Sequence, residues 1–159
     1  MRLILCVSLF VVLGCSSTIQ PSKTIKKEEI VFNTISKGTL FGNGIEGILE
    51  EKFTIKNEKQ WQVFLNKINS VNSVSSSFSE ININFSNHII ICVFDTIRNT
   101  GGYAIEIERV FVEKKNLNVV YKKKEPGPME MVTTIITQPY HIVKIEKRGE
   151  DHKFINKNQ

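Results

Sequence analysis

Seven residues near the middle of the chain, His88-Ile89-Ile90-Ile91-Cys92-Val93-Phe94, constrain the fold more than any other stretch. They are nearly all apolar, rich in β-branched side chains, and show no polar alternation. Such a strand is buried on both faces, as at the centre of a sheet. The pattern after it is antiparallel. Tyr103, Ile105 and Ile107 alternate with Ala104, Glu106 and Glu108, and Leu117, Val119 and Tyr121 alternate with Asn118, Val120 and Lys122. Lys114-Lys115-Asn116 makes a polar hairpin connection between these two runs. A second connection over 124–130 is stiffened by Pro126 and Pro128 around Gly127. Residues 132–137 and 140–146 read as the last strands, divided by Pro139. Proline cannot donate to a ladder, so Pro139 marks a bulge, a sheet edge or a turn.

One helix is written clearly before the central run. Asn57 is a good N-cap, and Gln60 three residues on completes a capping box. Trp61, Phe64, Leu65 and Ile68 then share one helical face. Trp61 reads as a core residue rather than a ligand platform. Upstream, 39–48 holds several glycines, with Asn43-Gly44 as a turn signal between extended segments, and 50–55 reads as a strand. The serine-rich stretch 70–80 has no period and reads as a mobile loop. The fold class expected is α+β: one amphipathic helix on a mainly antiparallel sheet, curled towards a sandwich or barrel.

The first residues, MRLILCVSLFVVLGC, have another purpose. Arg2 precedes an apolar run that is about half of the ~20 residues a membrane span needs. A charged start, an apolar stretch and a small residue at the cleavage point make a secretory signal. Val12-Leu13-Gly14-Cys15 resembles the lipobox of bacterial lipoproteins. That resemblance implies cleavage before Cys15 and lipid on its thiol and new amino group, hence a membrane partner through Cys15. The expected organisation is a signal over 1–14, a tether over 15–37, a domain over 38–147 and a loose polar tail over 148–159. Ser16, Ser17 and Thr18 lack the acidic cluster that some Gram-negative groups use to send lipoproteins to the outer face. The expectation is an outer-membrane lipoprotein facing the periplasm.

Charge and cysteine content narrow the function classes. The net charge of +5 would fall to +4 with the loss of Arg2. The lysines lie in short clusters between acidic residues or apolar strands, so no nucleic-acid stripe is expected. Of three cysteines, Cys6 lies in the signal, Cys15 in the lipobox and Cys92 in the central run, where a buried inert thiol is expected. His88, His141 and His152 have no metal-ligand spacing, and the glycine-rich turn lacks the Gly-Lys-Ser/Thr ending of a phosphate loop. No metal and no cofactor are expected. No serine has a Gly-x-Ser-x-Gly frame, so no catalytic residue is assigned. Glu106 and Glu108 read as charges on a solvated strand face.

Two irregular segments are the candidate partner-binding surface. One is Arg98-Asn99-Thr100-Gly101-Gly102-Tyr103, whose paired glycines permit positive φ or a close approach. The other contains Gln138, Pro139, Tyr140 and His141. Arg98, Gly101, Gly102 and Tyr103 would form one patch with Gln138, Pro139, Tyr140 and His141 at neighbouring strand ends. Tyrosine and arginine dominate such patches.

These segments also carry a family likeness. Trp61 on its helix, Ile83-Asn84-Phe85-Ser86, Thr100-Gly101-Gly102-Tyr103-Ala104-Ile105 and Thr137-Gln138-Pro139-Tyr140-His141-Ile142-Val143-Lys144 resemble the PrcB-type protease-complex subunit family, in its C-terminal domain. Leu40-Phe41-Gly42-Asn43-Gly44 is similar to lipoprotein members of the group, and Ala104 stands where members often carry serine. The resemblance implies a non-enzymatic accessory subunit and supplies no catalytic residue. Three functions stay open: a lipid-anchored binding or assembly module, a protease inhibitor or regulator wedging in with the Gly-Gly and Pro-Tyr loops, and a hydrolase using His141.

Overall fold

The computed structural model describes residues 27–158. Cys15, the lipobox and most of the expected tether lie outside them. Eight strands and one helix follow in order: β1 (Glu28–Ile30), β2 (Asn33–Leu40), β3 (Lys52–Ile55), α1 (Glu58–Ile68), β4 (His88–Phe94), β5 (Ala104–Glu113), β6 (Asn116–Lys124), β7 (Gln138–Glu146) and β8 (Asp151–Asn156). They make two four-stranded sheets. The outer sheet runs β1-β5-β6-β8 and the inner sheet β2-β7-β4-β3. Every pairing is antiparallel except β6 with β8, which is parallel.

The apolar run His88–Phe94 sets the layering. Alternate residues of a strand face opposite sides. Ile90, Cys92 and Phe94 join a core with Trp61, Phe64, Leu65 and Ile68 of α1. Ile89, Ile91 and Val93 join a second core with Ile105, Ile107, Val110, Leu117 and Val119 of the outer sheet. The inner sheet is therefore covered by the helix on one face and by the outer sheet on the other. The result is a sandwich with a helix on its back, not a closed barrel. Cys92 is fully buried, and burial, with Glu51 nearby, raises its thiol well above the ordinary value, so it stays a neutral core group.

α1 forms as its sequence dictates. Asn57 Oδ1 accepts from the Gln60 backbone N–H at 3.0 Å, while Gln60 Oε1 accepts from the Lys56 N–H at 2.8 Å. The reciprocal bond of the box thus lands one residue before the cap. Trp61 stacks with Phe64 at 5.5 Å, and its indole N–H donates to the Ile81 carbonyl at 2.8 Å. The two-residue turn Lys114-Lys115 has φ of 50° and 67°, the mirror-image turn that suits the twist of a tight hairpin.

Four segments differ from the sequence expectation. Residues 28–37, read as tether, supply β1 and most of β2. A bulge between Thr34 and Ser36 buries Ile35 and Ser36 in succession and hides the strand alternation. The tail over 148–159 supplies β8. As an edge strand it needs little apolar cover, and Phe154 with the Thr54–His152 hydrogen bond of 2.7 Å provides it. The serine stretch is pinned rather than loose. It holds a 3₁₀ turn at Val74–Ser77, with Asn69 bonded to Ser75 and the Ser79 N–H bonded to Ile35. Residues 132–136 form no strand, and Pro139 lies inside β7.

Pro139 is tolerated there because of its neighbour. It faces the chain just past the end of β4, and the Asp95 N–H donates to its carbonyl at 2.9 Å. The return bond would need a proline N–H. The Gln138 side chain supplies it instead, with Nε2 donating to the Asp95 carbonyl at 3.0 Å and to the Ile48 carbonyl at 2.8 Å.

Trp61 is fully buried at the centre of the helix-side core. Trp61→Ala is expected to cost about 3–5 kcal/mol, measured by urea unfolding. A loss below about 1 kcal/mol would place the indole outside the core.

Candidate interaction surface at the loop end

Three connections meet at one end of the sandwich. They are 41–51 between β2 and β3, 95–103 between β4 and β5, and 125–137 between β6 and β7. Ladder register brings them together, since Leu40 pairs with Gln138, Phe94 with Tyr140 and Ala104 with Lys124. Arg98 and Thr137 form an isolated bridge, with the Arg98 N–H donating to Thr137 at 2.7 Å and the Thr137 N–H returning at 2.9 Å. The two segments expected to neighbour one another therefore do.

Their side chains do not form the expected patch. Gln138, Pro139, Tyr140 and His141 are all buried. Because both faces of β7 are covered, neither side of its alternation reaches water. Tyr140 turns to the helix side, where it stacks on Phe94 at 5.8 Å and its hydroxyl bonds Ser36 Oγ at 3.0 Å. Burial of Pro139 and Tyr140 also removes half of the inhibitor wedge.

His141 turns the other way, into the space between the sheets. Its Nδ1 accepts from the Ile107 backbone N–H at 2.9 Å, so Nε2 carries the proton and donates to Thr34 Oγ1 at 3.0 Å. The β5 register shifts between Ile107 and Arg109, and His141 takes up the Ile107 N–H beside that bulge. Burial, reinforced by Lys37, lowers its pKa to about 4. A neutral imidazole with both nitrogens occupied, and Phe32 packed against it at 6.4 Å, is a spacer between sheets. The hydrolase reading loses its base.

The first segment keeps partial exposure, but its chemistry is internal. Asp95 is fully buried. Arg98 grips its Oδ2 through Nε at 3.3 Å and Nη2 at 3.1 Å, and Lys123 meets its Oδ1 at 2.6 Å. Burial works against the Lys123 charge, but bonds to Asp95 and Glu50 outweigh it and hold the pKa above the ordinary lysine value. Glu50 is correspondingly lowered, chiefly by its bond from Lys123. The Arg98 guanidinium lies over the Tyr103 ring at 4.3 Å. Gly101 and Gly102 serve a close approach within the chain. Gly102 has φ of 88°, and a Cβ there would meet Val132 and Pro126 at 2.8 and 2.9 Å. On the outer sheet, Glu106 and Glu108 sit in lysine pairs, with Lys37 at 2.7 Å from Glu106 and Lys122 at 2.7 Å from Glu108. Among the described residues no three His, Cys, Asp or Glu side chains gather as a metal site requires.

This end presents a concentration of apolar side chains to solvent, beside exposed polar residues such as Asn99, Glu125 and Glu130. Phe41, Ile45, Leu49, Ile97, Met129, Met131, Ile135 and Ile136 are exposed, both methionines at 98%. Only five other large apolar side chains are exposed among the described residues, and they are scattered, so exposed apolar surface is concentrated at this end. Ile97 packs against Gly44, and Thr133 accepts the Gly101 N–H at 2.9 Å, so the three loops are contiguous. Sequence reading missed these residues because it looked for tyrosine and arginine at irregular positions. The available signal was apolar side chains inside turn segments, as in Phe41-Gly42-Asn43-Gly44-Ile45 and Met129-Glu130-Met131.

The His141 geometry generates a pH dependence. Its folded pKa lies below the unfolded value near 6.5, so the unfolded chain takes the proton first. The contribution is fully present above about pH 6.5 and is lost as pH falls towards 4, by about 3 kcal/mol in all. His152, also lowered by burial, acts in the same sense. Urea midpoints between pH 7 and 4.5 should fall in the wild type. The slope should be much reduced in His141→Gln, and an unchanged slope would mean that the imidazole is not buried.

Neither the curated proteins nor the solved structures yield a significant match to this chain. Residues 89–146, from the second residue of β4 to the last of β7, match the family model described as PrcB C-terminal, the family that the sequence resembles.

Proposed function

We propose that the protein is a lipid-anchored, non-catalytic binding module that assembles onto a partner through the loop end. The family match favours an accessory subunit of an extracytoplasmic protease complex. The observation that carries the reading is the cluster of exposed apolar side chains on the three contiguous loops. The surrounding polar groups hold each other: Asp95 is gripped by Arg98 and Lys123, and His141 is sealed between the sheets. The eight exposed apolar side chains make apolar contact the main chemistry on offer at this end. The lipobox at Cys15 supports a membrane location, and Ser16-Ser17-Thr18 support an outer-membrane protein facing the periplasm.

Two experiments test the two halves of this reading. Acyl chains contribute about 0.8 kcal/mol per buried CH₂, and two or more hold a protein stably on a bilayer. Cys15→Ala should release the protein from the membrane fraction and remove the lipid mass from its mature N-terminus. Unchanged fractionation without lipid would reject the anchor. For the surface, a photo-crosslinker at Met131 in native membranes should capture a defined exported partner, a protease on the family reading. One at Lys153 should not. The pair Met129→Lys and Met131→Lys should reduce that capture at least tenfold with little change in melting temperature. Equal labelling from both positions would reject the loop end as the interface.

A further inference from the structure

A second surface runs along the free edge of the inner sheet, at β3. β3 pairs with β4 on one side only and is the last strand in its sheet. The Phe94 N–H donates to the Glu51 carbonyl at 2.9 Å. By strand alternation Glu51, Phe53 and Ile55 direct their backbone groups at β4, and Lys52 and Thr54 direct theirs outward. Among the described residues nothing hydrogen-bonds the N–H or C=O of Lys52 or Thr54.

An apolar groove of about 390 Å³ runs between this edge and α1. Phe53, Ile55 and Phe64 form its floor, and Val63 of α1 lines it while 62% exposed. Lys59 and Lys67, also on α1, stand along its helix side and outnumber Glu51, the one carboxylate of the lining. Neither has a carboxylate within ion-pair distance among the described residues, although most of the molecule's other lysines do. A groove with an unpaired strand edge and unneutralised lysines on its wall has a specific complement. The backbone edge selects an extended chain, the floor selects apolar side chains at every second residue, and the lysines select carboxylates.

We propose that β3 and this groove bind an extended acidic segment of a partner protein, which adds as a fifth strand to the inner sheet. Its apolar side chains at every second position enter the groove, carboxylates flanking them on that same face meet Lys59 and Lys67, and its backbone pairs with Lys52 and Thr54. Ile48 and Glu51 of the 41–51 connection line the groove, but none of the exposed apolar side chains of the loop end does, so the two surfaces are tested by different variants.

The test is to pan a random-peptide display library against the full-length chain and measure the enriched peptides by fluorescence anisotropy. The expected sequences carry apolar residues at every second position, flanked at the ends of that same face by Asp or Glu. Their binding should weaken at least tenfold in Val63→Asp and in the double variant Lys59→Glu, Lys67→Glu, while Met129→Lys leaves it unchanged. N-methylation of alternate peptide amides should abolish it, and binding should slow hydrogen exchange at the Lys52 and Thr54 amides. The proposal is overturned if no peptide is enriched, if the enriched peptides are basic or indifferent to Val63→Asp, or if they bind without protecting those amides. It is equally overturned if sedimentation shows a dimer that Val63→Asp dissociates, since the edge would then belong to a second copy of the chain.

Discussion

The pairing of β4 with β7 is the constraint on which the rest of the molecule depends. Both strands are apolar on both faces, and a sheet built around them has no side it can turn to water. One face requires α1 with Trp61 and Phe64, and the other requires β5 and β6. Every polar group carried into this sandwich then needs an internal partner, because an unpaired buried donor or acceptor costs about 1–3 kcal/mol. Tyr140 finds Ser36, His141 finds Ile107 and Thr34, and Asp95 finds Arg98 and Lys123. The substitution of the Gln138 amide for the absent N–H of Pro139 follows the same rule.

The same double burial explains what could be read from the sequence. The central strand, the capped helix, the lysine turn and the α+β class were all legible, because each depends on local pattern. Cys92 followed from its apolar surroundings. The candidate site was legible in its location but not in its direction. Tyr140 and His141 look like interface residues, and alternation places them on opposite faces of one strand. Sequence alone does not reveal that both faces are covered, so a buried histidine spacer reads as part of an exposed patch. Pro139 misled for a related reason, because the amide that replaces its N–H is a side chain and leaves no backbone pattern. β2 and β8 were hidden by a bulge and by the low apolar demand of an edge strand.

The family match divides the molecule along a structural line. Residues 89–146 contain β4, β5, β6 and β7, which are the two central strands of each sheet. All four edge strands and α1 lie outside the match. Two of the three loops that build the apolar end, 95–103 and 125–137, fall within it, while 41–51 does not. The groove beside β3 lies wholly outside. The matched segment therefore carries the sandwich centre and most of the loop end, and residues outside it supply both outer margins.

The parallel pairing of β8 with β6 has a consequence for how the molecule comes into being. The outer sheet is bounded by the first strand of the described chain on one side and by the last on the other. Such long-range pairing forms late, because the loop entropy is spent before the contact is made. Until 151–156 has docked, β6 has an open edge beside Tyr121 and lacks Phe154 to seal the layer. Asp151–Asn156, a stretch with little apolar content, thus acts as the clasp of the outer sheet, which closes only once that segment has docked on β6.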